Sequence, residues 1–439
     1  MRALRQLTRI QQASIAGSLI GGLFYFAVLL DLRWSPGRTA VPLGYASNFF
    51  DIQARSLLAG RLDVPRSSLG IEGFEIGEQT FMYFPPFPAL ARVPIFLITD
   101  EFDGKLTLLS MATAWIIFAV LATRLVWLIS DVLLERREPS RAEAVGSTAL
   151  IALLTGGTVL TFDASLPWVY HEVYAWAITT VVGALYWLIR VIRDPVGRNI
   201  AWLTAFATAA AWTRTTGGLA VIGAIIVAAI WSRSTADNKQ GSTENRVHPI
   251  GQHHRLAIAA VVPLVASVGL NLVKFNHLYM FPLEHQAWTK YSERRCMALE
   301  VNGGTITGPQ FLPDNFHAYF GLPGLRLTEH FPWVSLPAEP PPLDGFAFFD
   351  QTYRTASVTA TSPLLLALVL VAIPSLLGKP STWRVLVPPL LGSLAVGLPV
   401  MMYGYIAYRY TSEFVPALVV GGILGFWSLA PRLLRQSGW

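Results

Sequence analysis

The chain has 439 residues, of which 53% are hydrophobic and only 14% charged. A soluble domain carries about 25% charged residues, so this composition, with a mean hydropathy of +0.46, excludes a soluble globular protein. The net charge of +6 does not mark a nucleic-acid partner, because Lys and Arg gather in short clusters between apolar runs, and the single cysteine, Cys296, excludes an intrachain disulfide or a thiolate zinc site.

Runs of about 20 mainly apolar residues are candidate membrane spans. They fall at 11–31, 105–130, 144–162, 172–192, 199–213, 217–232, 256–275, 356–377, 385–406 and 413–431. The expected fold is an all-α polytopic membrane protein, a single transmembrane domain over 1–439 with about ten spanning helices. The first run follows Arg2, Arg5 and Arg9 and is too long for a signal-peptide core. No small-residue cleavage pattern follows it, so it is expected to be retained, with the N-terminus in the cytoplasm. Loop 32–104 mixes apolar and polar residues. In it, Ala46 to Leu58 has a helical pattern whose Phe49, Phe50, Ile52, Leu57 and Leu58 are spaced to lie on the membrane interface. Phe81 to Leu97 is apolar but broken by Pro85, Pro86, Pro88 and Pro94, which predicts short helices lying on the membrane. The short runs 199–213 and 217–232 form a hairpin bent at 213–218. Segment 233–255 is a polar, solvated linker. Its His248, His253 and His254 are read as part of that tract rather than as a metal site. Segment 276–355, with Trp288, Tyr319, Trp333 and many Pro and Gly, is a second long external loop, compact and irregular. No internal repeat is visible.

Charge distribution fixes the expected orientation. With both termini inside, the cytoplasmic segments are Glu135 to Arg141, Arg190 to Arg198, Arg233 to Arg255, Lys379 to Arg384, and Arg432 with Arg435, and each is basic. The external segments 32–104, 163–171, 214–217, 276–355 and 407–412 hold most of the acidic residues. The protein is therefore expected in the plasma (inner) membrane, with its chemistry on the non-cytoplasmic face.

Four groups of external residues could carry chemistry. Asp51 sits on the predicted helix of the first loop. A carboxylate there is either a general base or a surface Asp paired with Arg55 one turn away. Tyr83-Phe84-Pro85-Pro86-Phe87-Pro88-Ala89-Leu90 fixes how that loop re-enters the membrane. The turn from Asp163 through Trp168 and His171 to Glu172 combines an aromatic platform, carboxylates and an imidazole. It suits a sugar pocket and an interfacial aromatic belt equally. Arg214 at a hairpin tip, and Arg409 beside Tyr410 at the mouth of the last helix, run against the inside bias of Arg. Each is either a phosphate ligand or a partner of Glu413 or Glu172.

In their order, Asp51, the Gly60-Arg61-Leu62-Asp63 turn, the Pro-Pro segment, the Asn276 to Glu284 stretch and the Arg409-Tyr410 pair before Pro416 resemble the GT-C superfamily of integral membrane glycosyltransferases. The spacing looks most like the arabinosyl-, mannosyl- and aminoarabinosyl-transferase branches, which build cell-envelope glycans. Two features depart from that pattern. Asp51 is flanked by Phe50 and Ile52 rather than by a second acid, and the chain ends soon after its last helix. The resemblance implies a polyprenyl-phosphate sugar donor, a hydroxyl acceptor (glycan, lipid or protein) and inverting transfer with Asp51 as base. It further implies that Arg409 and Arg214 hold the donor phosphate, and that Asp163, Trp168, His171, Glu172, Tyr83 and Tyr410 line the sugar or acceptor pocket. No cofactor is required by that scheme.

Three other classes compete. A secondary transporter or flippase would favour repeats and mid-membrane charges, whereas Glu172, Lys274 and Arg409 fall at span ends. A glycan polymerase or ligase would lean on His277, His285 and His317 of the late loop. A non-catalytic scaffold would tolerate changes at Asp51 and Arg409.

Overall fold

The computed structural model describes residues 7–32, 44, 46–135, 137–239, 251–322, 324–330, 333–344 and 347–436. Arg2, Arg5, Arg136, residues 33–43 and 45 of the first loop, and residues 240–250 of the linker, His248 among them, lie outside them.

Helix α1 (Arg9–Leu29) opens on a capping box made by Thr8 and Gln11. The first long loop contributes α2 (Phe49–Leu58), a 3-10 turn at Gly70–Glu72, an antiparallel hairpin of Phe74–Ile76 with Gln79–Phe81, and the short helices α3 (Phe87–Leu90) and α4 (Val93–Phe96). Both short helices carry Pro in their first turn, where its missing N–H costs nothing. The bundle continues with α5 (Thr107–Leu134), α6 (Arg141–Gly156), α7 (Val159–Ser165), α8 (Val169–Arg193), α9 (Gly197–Ala211), α10 (Thr215–Lys239) and α11 (Gln252–Phe275). The long late segment folds as α12 (Ala287–Tyr291), α13 (Glu293–Val301) and α14 (Leu312–Phe320), with two-residue strands between turns. The chain ends with α15 (Val358–Thr361), α16 (Pro363–Leu377), α17 (Pro380–Ala395), α18 (Leu398–Met401) and α19 (Val415–Gln436).

All ten expected spans are helical, and the protein is an all-α polytopic membrane protein. Among the described residues eight helices are long and apolar enough to cross a membrane. The other two, α9 and α16, have 15 residues each. At 1.5 Å per residue they reach about 22 Å, short of an apolar core of about 30 Å. Three boundaries differ from expectation. The run 144–162 is interrupted at Gly157-Thr158, where Thr158 caps a new helix. The run 356–377 becomes a continuous helix only from Pro363. The run 385–406 gives way after Ala395, and Tyr405–Ile406 pairs in parallel with Gln351–Thr352. The apolar face of α2 also differs. Phe49 and Phe50 are buried in the protein core rather than laid on lipid.

Helix α8 is the central post, with 83% of its spanning stretch buried, and its N-terminal end feeds the site described below. Small residues let neighbouring helices approach closely, as membrane packing favours. Where α1 crosses α6, a Cβ added at Gly156 would sit 2.7 Å from Gly21 Cα.

Candidate functional site

Glu72 ends the 3-10 turn of the first loop, a turn that Gly70 makes accessible at φ +54°. Its side chain is buried, with 5% exposure. One oxygen, Oε1, accepts a 2.6 Å hydrogen bond from the hydroxyl of Tyr170, in the first turn of α8. The other, Oε2, accepts from Gln286 Nε2 at 3.3 Å. The same Gln286 forms an antiparallel bridge with Phe74, and Ala287 N–H donates to Gly73 carbonyl at 2.9 Å. Two segments far apart in sequence are thus joined beside this carboxylate.

Arg409 lies in the 3-10 helix Tyr408–Phe414 that leads into α19. Its guanidinium is caged by aromatic rings, 5.2 Å from the Tyr170 centroid, 5.1 Å from Tyr410, 5.7 Å from Tyr405 and 5.9 Å from Tyr353. Among the described residues no carboxylate lies within ion-pair distance of it. Cation–π contact accounts for part of its stabilisation in so enclosed a place. Glu72 and Arg409 both engage Tyr170, the first at its hydroxyl and the second over its ring.

The other candidate residues are distributed around this pair. Arg214 is ion-paired with Glu413 at 2.5 Å and lies 4.6 Å from the Tyr174 ring centroid, so its charge is already compensated. Asp51 is fully buried and takes Arg92 Nε at 2.5 Å and the Leu106 amide at 3.3 Å. Arg92 Nη2 also holds Glu172, and Arg92 Nη1 donates to Ser110 and to the Pro88 carbonyl. Asp51 therefore does not pair with Arg55, which turns instead to Asp100 and Asp103. Asp163 accepts from Ser412 at 2.7 Å, and His171 packs edge-on against Phe162. Trp168 is the N-cap residue of α8 and is half-buried. Tyr83 stacks near Phe84, with centroids 4.0 Å apart, and Tyr410 packs against Tyr174, Tyr403 and Tyr405. Of the residues expected to line a pocket, Tyr83 and Tyr410 therefore belong to the aromatic wall, whereas Asp163 and Glu172 are committed to Ser412 and Arg92.

Burial pushes the Glu72 carboxyl above the usual range, and the Tyr170 hydrogen bond and the Arg295 and Arg409 charges pull it back. Burial also raises Asp51, against the charge and hydrogen bond of Arg92. Several buried polar atoms near the wall have no hydrogen-bond partner among the described residues, among them Tyr174 Oη, His171 Nδ1, Asp163 Oδ1 and Arg214 Nε. Such atoms are costly to leave unbonded and suit a ligand or ordered water. Among the described residues no three His, Cys, Asp or Glu side chains converge as metal ligands.

Sequence reasoning passed over Glu72, Arg92, Gln286 and Arg295. A signal existed for the first two. Glu72 stands between Ile71 and Gly73 in a glycine-marked turn, and Arg92 is the one charge inside the apolar stretch Phe81 to Leu97. Nothing local singles out Gln286 or Arg295.

No family model matches the sequence, and no curated protein matches it. Among solved structures, the apo form of the Archaeoglobus fulgidus oligosaccharyltransferase superposes with a TM-score of 0.50 and 14% identity. The match covers 97% of this chain and 51% of that one, so the chain spans about half the length of its structural relative. The likeness is one of fold, and it extends across nearly all of the helices described above.

Proposed function

We propose that this chain is a membrane glycosyltransferase of the GT-C type that moves a sugar from a polyprenyl-phosphate donor to a hydroxyl acceptor on the non-cytoplasmic face. The observation that carries this reading is Arg409. A half-buried guanidinium caged by aromatic rings, with no carboxylate partner among the described residues, is costly, and an anionic ligand would offset that cost. A monophosphate ester delivered from the membrane fits the position at the mouth of the last helix. The fold shared with an oligosaccharyltransferase supports the same class.

The proposed chemistry uses this arrangement. Glu72, across Tyr170 from Arg409, accepts the proton of the acceptor hydroxyl. That oxygen bonds to the anomeric carbon as the carbon–phosphate oxygen bond breaks. The electron pair leaves on the polyprenyl phosphate, and Arg409 stabilises the charge gained there. Attack opposite the leaving group inverts the anomeric centre. Glu72 takes the role that sequence reasoning assigned to Asp51, because Asp51 is committed to Arg92. Arg214 supports the wall through Glu413 and Tyr174 rather than meeting the phosphate directly. Trp168 and His171 are proposed at the sugar side, and the acceptor is a cell-envelope glycan, lipid or protein.

The test is transfer by the purified protein in lipid from a panel of radiolabelled polyprenyl-phosphate sugars. Wild type should transfer from at least one donor, and Arg409→Gln should lose about 100- to 1000-fold in kcat. Absence of transfer from every donor would overturn the reading in favour of a transporter or scaffold.

A further inference from the structure

The late external segment does more than cover the bundle. It reaches Glu72 through a chain of buried polar contacts that the transfer scheme has not used. Asp350 forms an ion pair with Arg295 at 2.8 Å, with both side chains almost fully buried. Arg295 Nη1 donates to Gln286 Oε1 at 2.7 Å, and Gln286 Nε2 donates to Glu72 Oε2 at 3.3 Å. Asp350 is in turn fixed by its amide, which donates to the Gly404 carbonyl at 2.9 Å, next to the strand Tyr405–Ile406. A series of hydrogen bonds running from a cation to a carboxylate polarises each member. The amide of Gln286 is therefore a stronger donor toward Glu72 than a free amide would be. Its direction is also fixed, because Arg295 can only donate and so must take the amide oxygen.

We propose that Gln286 and Arg295 are positioning residues for Glu72, holding its carboxylate ionised and aimed by one oxygen while Tyr170 holds the other. The inference rests on the proposed role of Glu72 and extends it to a segment more than 200 residues downstream. The carboxylate is engaged from two independent bodies, α8 and the late segment, so neither alone fixes its direction. The charged and titratable groups facing Glu72 are Tyr170, Arg295, Arg409, Asp350, Tyr83 and Tyr410. Of the two cations, Arg409 is taken up with the donor phosphate in the transfer scheme. Arg295, acting through Gln286, is then the one left to favour the ionised base during turnover.

The experiment is the pH–rate profile of transfer with a saturating polyprenyl-phosphate donor, for wild type, Glu72→Gln, Gln286→Leu, Gln286→Glu, Arg295→Lys and Arg295→Met. Gln286→Leu keeps the backbone bridge to Phe74 and removes only the side-chain contacts. It should lower kcat at neutral pH at least tenfold, leave the donor KM within about twofold, and move the acidic limb to higher pH, so that part of the rate returns in alkaline buffer. Gln286→Glu, which sets a second carboxylate beside Glu72, should move that limb furthest. Arg295→Lys should retain more rate than Arg295→Met, because it keeps a cation opposite Asp350. An unmoved acidic limb and unchanged kcat in Gln286→Leu, or equal rates in the two Arg295 variants, would overturn the inference. Failure of the underlying reading looks different. In that case wild type transfers nothing, or Glu72→Gln keeps the wild-type rate.

Discussion

Among the described residues Arg92 is the one cation paired with the buried carboxylates Asp51 and Glu172, and it satisfies both while capping the Pro88 carbonyl. Removing it leaves two acids facing one another in a dry site. Arg92→Met is therefore expected to destabilise the protein by about 3–5 kcal/mol, read as a lowered thermal midpoint in detergent. A midpoint within a degree of wild type would show that the triad is not structural. Asp51→Asn is gentler, since the amide matches the neutral form that burial already favours, and a folded Asp51→Asn protein should still transfer sugar. Loss of transfer in a well-folded Asp51→Asn protein would return the base to Asp51. Glu72 behaves in the opposite way for function and in the same way for stability. Its folded carboxyl sits above the ordinary value, so its contribution to stability is complete at acid pH and is lost as pH rises through the raised folded value. Glu72→Gln removes that loss. It should be inactive yet melt at least as high as wild type at neutral pH, with the difference vanishing in acid. A lower midpoint at neutral pH would mean that the Tyr170, Gln286 and Arg409 contacts outweigh desolvation.

At the scale of elements, helix contacts in this bundle depend on the absence of side chains as much as on their presence. The approach of α1 to α6 leaves no room at Gly156, where the obstacle is the Gly21 backbone and not a side chain that can turn away. Gly156→Leu is expected to cost about 1–3 kcal/mol by forcing the helices apart, and a thermal melt indistinguishable from wild type would refute the close contact. Such contacts explain which features were legible beforehand. The spanning helices were, because an apolar run announces itself residue by residue and each expected span contains a helix over most of its length. The end of the α17 run was not, because the strand Tyr405–Ile406 depends on Gln351–Thr352 and not on its own neighbours. The face of α2 was misjudged for a related reason. Phe49 and Phe50 have the spacing of an interfacial helix, but the same spacing serves burial against Phe84 and the rest of the core. At the site, the Arg409-Tyr410 pair and Tyr83 were visible as out-of-place polar and aromatic groups. Glu72 was passed over, since the glycine-marked turn around it signals only a change of direction and its partners Tyr170 and Gln286 come from other loops.

Across the whole molecule, the contacts among Glu72, Tyr170, Gln286 and Arg409 require the first loop, the start of α8, the late segment and the entry to α19 to emerge at one end of the bundle. The basic segments, Arg190 to Arg198 and Lys379 to Arg384 among them, join the helices at their other ends. This segregation is what the positive-inside bias predicts for a site facing away from the cytoplasm. The single cysteine makes the point testable without adding a reporter. Cys296 lies on α13 in the late segment and is exposed. A membrane-impermeant maleimide added to intact cells should label it, as it would any group on the same end as Glu72. The matched control, Cys296→Ser with Val196→Cys, puts the thiol at an exposed position in the basic loop before α9, and it should be labelled only after the membrane is opened. The reverse pattern would put the site in the cytoplasm, where the donor would have to be a sugar lipid made and consumed on the same face. In that case the lipid-phosphate chemistry at Arg409 could stand, while the cell-envelope acceptor could not.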